Sequence, residues 1–155
     1  NTTDDDEVAA FLKKLVNGEE GDKSGLIYGM GHPIYTRSDP RAVMLKKYAR
    51  KMAESKGYMD DFNLLNSIER LAPDILREKL GLDKDICANI DLYSGLVYRM
   101  LGIPTEMYTP LFAIARIVGW CSHRMEELTT AKKIIRPAYK AIADRKYYTP
   151  FEARK

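Results

Sequence analysis

Apolar residues recur at helical spacing along almost the whole of this 155-residue chain, and residues that stop helices separate the apolar runs. The runs end at Asn17-Gly18, Gly57, Gly81 and Gly102. Glycine commonly closes a helix because it adopts the left-handed backbone conformation without strain. No segment alternates apolar and polar residues convincingly, so the pattern predicts no strands. The chain is therefore expected to be all-α and multi-helical.

Residues typical of helix starts set the other boundaries. Asp39 is a predicted N-cap with Pro40 at the first helical position, and Asn89 is predicted to cap a later helix. Pro73 is expected to kink or break the third helix and to open a shorter one, because proline lacks the N–H that a helix interior needs. Helices are thus predicted over residues 8–16, 40–56, 60–80 with the interruption, 91–101, 110–128 and 138–144, followed by a tail.

The segment from Pro110 to Cys121 contains only one charged residue, Arg116. A helix that is apolar on every face is expected to be buried, and this one is too short to span a membrane. Its guanidinium then needs a partner, because an unpaired buried charge is very costly. The partner is either a carboxylate of the same protein or an anion at the floor of a pocket. A chain of this size is not expected to cover such a helix alone, which suggests further or partner protein.

The stretch from Ser24 to Arg41 reads SGLIYGMGHPIYTRSDPR and joins a glycine-rich loop to a helix start. Its glycines let a ligand approach bare backbone. His32 follows this loop directly, and Arg41 falls in the first helical turn, where the helix dipole disfavours a cation. An anionic ligand at Arg41 and the free backbone N–H groups would resolve that conflict. The alternative is a solvated arginine beside a histidine in a turn.

Two further places carry possible chemistry. Asp91 is expected in the first turn of its helix, where the dipole favours a carboxylate that is available as a general base. Gly95 lies about one turn later and leaves open space on the same face. An aspartate at a helix start is, however, also common for purely structural reasons. The basic link from Lys132 to Pro137 either holds an anion or faces solvent.

The net charge is +3, and the acidic residues are concentrated in residues 1–25, so the remainder carries the basic excess. That excess suits a polyanionic small molecule, a phosphate backbone or an acidic partner, or it is a solubilising surface. No helix has a concentrated basic face, so nucleic acid is not an expected partner. Two isolated cysteines, Cys87 and Cys121, favour a reducing cytoplasm and no metal site. Neither a membrane span nor a secretory signal is predicted.

Three motifs occur together in one known family. GMGHPIYTRSDPRA, NIDLYSGLVYRMLGIPTEMYTPLFAIARIVGW and IIRP resemble the C-terminal portion of citrate synthases, from about Asp6 to Ala141. The resemblance implies a small domain over residues 1–104, then a segment over 105–155 that returns to the large domain. That segment would contain a long buried helix and a C-terminal tail. It also implies an acyltransferase that condenses acetyl-CoA with oxaloacetate.

The resemblance assigns roles to five residues. His32 matches the histidine that hydrogen-bonds the oxaloacetate carbonyl, and Asp91 matches the base that removes a methyl proton from acetyl-CoA. Arg41 and Arg116 match arginines that bind the oxaloacetate carboxylates. Arg136 matches an arginine that reaches the neighbouring subunit's site.

The same resemblance implies a binding site for coenzyme A. Coenzyme A is then a substrate and product rather than a tightly bound cofactor. Arg37 and Lys84 match positions where some members hold the coenzyme phosphates. The segment that would hold the adenine consists of Leu26, Ile27, Tyr28, Gly29, Met30 and Gly31.

The family's second catalytic histidine lies N-terminal to the matched portion, and the only histidines of this chain are His32 and His123. The chain alone is therefore expected to be inactive. The whole protein is expected to be a cytoplasmic homodimer, and the chain alone is expected to self-associate through residues 105–125. The alternatives are a 2-methylcitrate synthase that takes propionyl-CoA, or a non-catalytic module that binds coenzyme A or another anion.

Overall fold

The computed structural model describes residues 4–130, 144 and 147–154. Short 3-10 turns occur at Thr105–Met107 and Phe151–Ala153, and an antiparallel bridge joins Met30 to Ala88. The described ranges contain no strand, which confirms the all-α prediction. The helix expected over 138–144 lies outside the described residues, except for its last position. The helices are α1 (Asp5–Val16), α2 (Pro40–Lys56), α3 (Met59–Leu80), α4 (Asp91–Met100) and α5 (Tyr108–Thr130).

Local signals account for the ends of α2 and α4. The Asp39 carboxylate accepts from the backbone N–H of Arg41, and Gly57 closes α2 with a φ of 76°. The residue directly before α4 is Ile90, one position after the predicted cap, and the Asn89 side-chain oxygen accepts from the N–H of Asp91 at 2.9 Å. These caps satisfy backbone groups that a helix end leaves without intrahelical partners.

The expected interruption at Pro73 is wrong as a break, because α3 runs through it without a gap. Proline removes one backbone hydrogen bond in a helix interior. Ala72, Ile75 and Leu76 are nevertheless buried in a cluster with α1. The burial of this apolar face offsets the lost hydrogen bond and keeps the two predicted helices as one.

Two apolar clusters form the core. The first cluster lies among α2, α3 and α4 and contains Phe62, Leu92 and the wholly buried Tyr93. The second joins α1 to the later part of α3 and to Ile27 of the glycine-rich loop. Met30 packs against both clusters, so the loop is anchored to the whole helical core.

A polar contact also ties the three helices of the first cluster together. The Tyr93 hydroxyl donates to Glu69, and Lys46 donates to the same carboxylate oxygen at 2.6 Å. Burial, followed by the hydrogen bond to Glu69, raises the pKa of the Tyr93 phenol. The contact fixes α4 relative to α2 and α3.

The chain alone does not cover its final long helix, as expected for a chain of this size. No residue of α5 is buried, and Val118 is 76% exposed. Neither core cluster includes a side chain from α5. The chain divides into two compact units, Asn1–Phe112 and Ala113–Lys155, and α5 crosses that boundary. Within the described residues, no helix is both long and apolar enough for a membrane span.

Candidate active site

Backbone pairing brings the glycine-rich loop to the start of α4. The Gly31 N–H donates to the Cys87 carbonyl at 2.8 Å, and the Asn89 N–H donates to the Gly29 carbonyl at 2.9 Å. The Asn89 side chain also donates to the Gly31 carbonyl at 2.8 Å. A Cβ on Gly29 would lie 2.7 Å from the Cα of Leu92, and its φ is +86°. Only glycine therefore allows the loop to lie this close to the first turn of α4.

His32 is oriented by the turn that follows it. Its Nδ1 accepts from the backbone N–H groups of Ile34 and Tyr35, both at 3.1 Å. A neutral imidazole has one donor and one acceptor nitrogen, so these bonds assign the proton to Nε2. His32 therefore presents an N–H donor away from the turn.

Arg41 is held against His32 by Asp39. The guanidinium donates from Nε to Oδ1 at 3.0 Å and from Nη2 to Oδ2 at 2.8 Å. Nη2 also lies 3.2 Å from His32 Nε2. This bidentate pair lowers the pKa of Asp39 and raises the pKa of Arg41. The sequence left open whether Arg41 meets an anionic ligand or only solvent, and in the structure the chain's own Asp39 pairs with it.

The facing atoms of His32 and Arg41 are both hydrogen-bond donors. Nε2–H cannot accept from Nη2–H, so the 3.2 Å separation brings two donors together without a hydrogen bond between them. An oxygen atom that accepts from both would satisfy the pair. The geometry therefore suits a carbonyl or carboxylate oxygen.

Asp91 begins α4, two residues after Asn89, whose side chain hydrogen-bonds the glycine-rich loop. It is exposed in the first turn of α4, and its charge contributes to the raised pKa of Arg41, after the larger effects of Asp39. Gly95 leaves open space as predicted, since a Cβ there would meet only the Tyr108 ring at 4.0 Å. The open hollow beside the carboxylate is lined by Asp91, Ser94, Gly95, Tyr98, Tyr108, Thr109 and Phe112.

A second, mainly apolar hollow lies under the glycine-rich loop and reaches His32. Of the predicted coenzyme residues, it is lined by Leu26, Ile27, Met30, Gly31 and Lys84.

The other predicted coenzyme residues, Tyr28, Gly29 and Arg37, do not line this hollow. Arg37 and Tyr28 are exposed. Tyr28 donates its hydroxyl to Asp22 at 2.6 Å. Hydrogen bonds from Ser24 and then from Tyr28 lower the pKa of Asp22 to about 2.

Comparison with known proteins identifies the family. A family model for the C-terminal domain of citrate synthase matches residues 1–138. The chain belongs to the citrate synthase family. A citrate synthase from Synechocystis is 40% identical over 83% of this chain and 31% of its own length. One from Corynebacterium glutamicum is 37% identical over 94% of this chain and 30% of its own length.

A solved structure gives the same result. The crystal structure of citrate synthase from Pyrobaculum aerophilum superposes with a TM-score of 0.61 at 27% identity. It covers 99% of this chain and 39% of that protein. This chain therefore spans about a third of the length of its citrate synthase relatives.

The family resemblance assigns active-site roles to two further arginines. Arg116 is exposed on α5 and belongs to the second compact unit. Arg136 lies outside the described residues. Of the predicted catalytic and substrate-binding set, the structure places His32 and Arg41 3.2 Å apart, and Asp91 starts the helix whose preceding residues hydrogen-bond the glycine-rich loop.

Sequence reasoning missed two residues of this candidate site. Asp39 was predicted as a helix cap but not as the partner of Arg41, although its carboxylate is two residues away. Asn89 was likewise predicted as a cap, and its bond to the Gly31 carbonyl was not. The signal for Asp39 was the SDPR motif itself, because an acidic residue beside an arginine in a first turn offsets its charge.

Proposed function

We propose that this chain supplies part of a citrate synthase active centre, which condenses acetyl-CoA with oxaloacetate to give citrate and CoA. The observation that carries the proposal is the donor pair of His32 and Arg41, 3.2 Å apart, together with the exposed carboxylate of Asp91 at the start of α4. Such a pair suits a keto acid, and such a carboxylate suits proton abstraction.

Asp91 is the general base in this proposal. It takes a proton from the methyl group of the thioester, and the resulting enol-like carbon attacks the ketone of oxaloacetate. Its place in the first turn of α4 favours the negative charge that a base requires. The developing charge on the thioester oxygen needs a separate donor, and the family resemblance assigns that role to a histidine outside the matched portion.

His32 and Arg41 act on the other substrate. The Nε2–H of His32 donates to the ketone oxygen and stabilises the charge that forms there during carbon–carbon bond formation. Arg41 binds and orients a carboxylate of the dicarboxylate. By resemblance, Arg116 binds a carboxylate as well, and Arg136 acts at the neighbouring subunit's site. Hydrolysis of the citryl thioester completes the turnover.

Coenzyme A is assigned to the hollow under the glycine-rich loop. Leu26, Ile27 and Met30 offer apolar surface to the adenine, and Lys84 at the rim offers a cation to the phosphates. Arg37, which is exposed near the loop, is a second candidate for the phosphates. Coenzyme A is here a substrate and product, with no tightly bound cofactor.

The proposal is tested with a chimera in which this chain replaces the matching third of the Synechocystis citrate synthase. The purified 155-residue chain is expected to form no citrate from acetyl-CoA and oxaloacetate, whereas the chimera is expected to form it. Asp91→Asn in the chimera is expected to lower kcat by about 10³-fold. Asp60→Asn, which changes a first-turn aspartate of α3, is the matched control. Full activity of the Asp91→Asn chimera would overturn the assignment.

A 2-methylcitrate synthase activity is the second candidate, and the hollow beside Asp91 favours it. The space over Gly95 would admit the extra methyl group of propionyl-CoA. Steady-state kinetics of the chimera with both thioesters separate the two activities.

A non-catalytic role for the chain alone is supported by the coenzyme hollow, which lies wholly within the first unit. Calorimetry with coenzyme A, comparing the chain with Lys84→Ala, tests that role.

We also propose a cytoplasmic homodimer as the state of the whole protein. The free thiols of Cys87 and Cys121 fit a reducing compartment. The apolar face of α5 is exposed at Ile114 and Val118, and exposed patches of this kind mark interfaces. For the 155-residue chain alone, the same face is expected to cause self-association through residues 105–125.

A further inference from the structure

Asp39 is one of the most deeply buried polar residues among those that the structure describes. Its exposed fraction is 1%, and its side chain is wholly inaccessible, while the Arg41 side chain is 47% exposed. A buried carboxylate without its cation is strongly unfavourable. Buried Asp39 therefore holds the exposed Arg41 side chain in place, because movement of Arg41 away from it would leave a buried carboxylate without a cation.

The pairing leaves a defined set of donors on Arg41. Asp39 takes the Nε hydrogen and one Nη2 hydrogen. Both Nη1 hydrogens and the second Nη2 hydrogen lie outside this ion pair, and Nη2 is the atom beside His32 Nε2. The free edge of the guanidinium is thus turned toward the imidazole.

We propose, resting on the function proposed above for the identity of the ligand, that Asp39 is a positioning residue for Arg41. It does not touch the substrate. Its carboxylate fixes the guanidinium so that Nη2 stands beside His32 Nε2 and the outer N–H groups face a substrate carboxylate. Asp39 has a second, separable task, because Oδ1 also accepts from the Arg41 backbone N–H and so caps α2.

Two substitutions separate positioning from capping. Asp39→Asn keeps the size of the side chain and a good N-cap, but it places an amide against Nη2 or Nε. Asp39→Ser also keeps a good N-cap and removes the carboxylate altogether. The matched control is Glu54→Gln, which breaks another carboxylate–Arg Nε bond of α2, between Glu54 and Arg50 at 3.0 Å. Circular dichroism verifies that each variant is folded.

The measurement is nuclear magnetic resonance on the ¹⁵N-labelled 155-residue chain. In both Asp39 variants, the exchange rate of the Arg41 Nε hydrogen is expected to rise about tenfold or more. The Nε2 signal of His32 is expected to shift, because Arg41 no longer stands beside it. Neither signal is expected to change in Glu54→Gln. Unchanged Arg41 and His32 signals in both folded Asp39 variants would overturn the positioning role.

Titration with oxaloacetate, monitored at the His32 and Arg41 signals, tests the consequence for the ligand. The half-saturating concentration is expected to rise about tenfold in Asp39→Asn and Asp39→Ser, and to stay constant in Glu54→Gln. Equal half-saturation in all variants would show that a released Arg41 binds as well, and it would overturn the role toward the ligand. Oxaloacetate that shifts no signal in the unsubstituted chain contradicts the proposed function instead, because the exchange measurement on Arg41 needs no ligand.

Discussion

The backbone of Gly29 determines how closely the glycine-rich loop can approach α4. Gly29→Ala combines a left-handed φ of +86° with a Cβ placed 2.7 Å from the Leu92 Cα, whereas Gly31→Ala adds only the strain of a φ of +85° in open space. The Gly31 variant is expected to lose about 1 kcal/mol of unfolding free energy, and the Gly29 variant at least about 1 kcal/mol more. Urea denaturation measures both. Equal losses would contradict a close contact at Gly29.

The Asp39–Arg41 pair predicts a pH dependence of stability. Because the pair lowers the pKa of Asp39 in the folded state, its contribution is complete above the unfolded value of about 3.9 and is lost as the pH falls through the folded pKa. Urea denaturation is expected to show Asp39→Asn less stable than the parent chain at pH 7. The difference is expected to narrow below about pH 4. A difference that is constant from pH 7 to pH 3 would exclude a charge effect.

Local residue types predicted part of this site and not the rest. Asp39 and Pro40 are recognisable as a helix start from their order alone. The direction in which Arg41 turns was not predictable, because it depends on the burial of Asp39. The same applies to the bond between Asn89 and Gly31, which are 58 residues apart. Contacts between residues so far apart produce no recognisable residue pattern in a single sequence.

Pro73 provides a test of how α3 is held together. Pro73→Ala restores a backbone N–H that can donate to the Glu69 carbonyl in a continuous helix. It is expected to raise the unfolding free energy by about 1–2 kcal/mol, after allowance for a more flexible unfolded chain. Pro40→Ala at the first position of α2 is the control and is expected to bring no such gain. An unchanged or lower stability of Pro73→Ala in urea would show that the proline ring itself contributes to the packing.

The helices were predictable to the extent that their ends are local. The predicted range of α2 matches the observed Pro40–Lys56, because a proline and a glycine define both ends. The third helix was predicted with an interruption, because a rule about one residue was applied without the packing against α1 that outweighs it. Ala72 is buried in the cluster with α1, a helix far from it in the sequence, so its burial could not be read from neighbouring residues.

At the scale of the whole molecule, α5 exposes an apolar surface that is expected to drive association. Val118→Glu places a charge at a position that is 76% exposed. This change is expected to lower the association constant about tenfold or more, with little effect on unfolding free energy, because no contact of the core is lost. Analytical ultracentrifugation over a range of concentrations measures the association.

Ser55→Glu, at an exposed position on α2, controls for the added charge. It is expected to associate like the parent chain. A parent chain that remains monomeric at high concentration would contradict the role assigned to α5.

The all-α class was predictable from helical periodicity, because that property is repeated along the chain. The sequence indicated that α5 needs a covering surface and that a chain of this size does not supply one, and none of α5 is buried. Which surface covers it was not predictable, because that depends on protein outside this chain.

The hydrogen bonds between the glycine-rich loop and residues 87–89 connect the segments that carry His32 and Asp91, the two residues assigned to successive steps of the proposed chemistry. His32 follows the loop by one residue, and Asp91 follows Asn89 by two. Three hydrogen bonds, two of them between main-chain atoms, must break before the loop that precedes His32 can separate from the segment that precedes Asp91. The group assigned to polarise the ketone and the group assigned to remove the proton are therefore expected to move together, and a ligand bound beneath the loop is expected to restrict the motion of both.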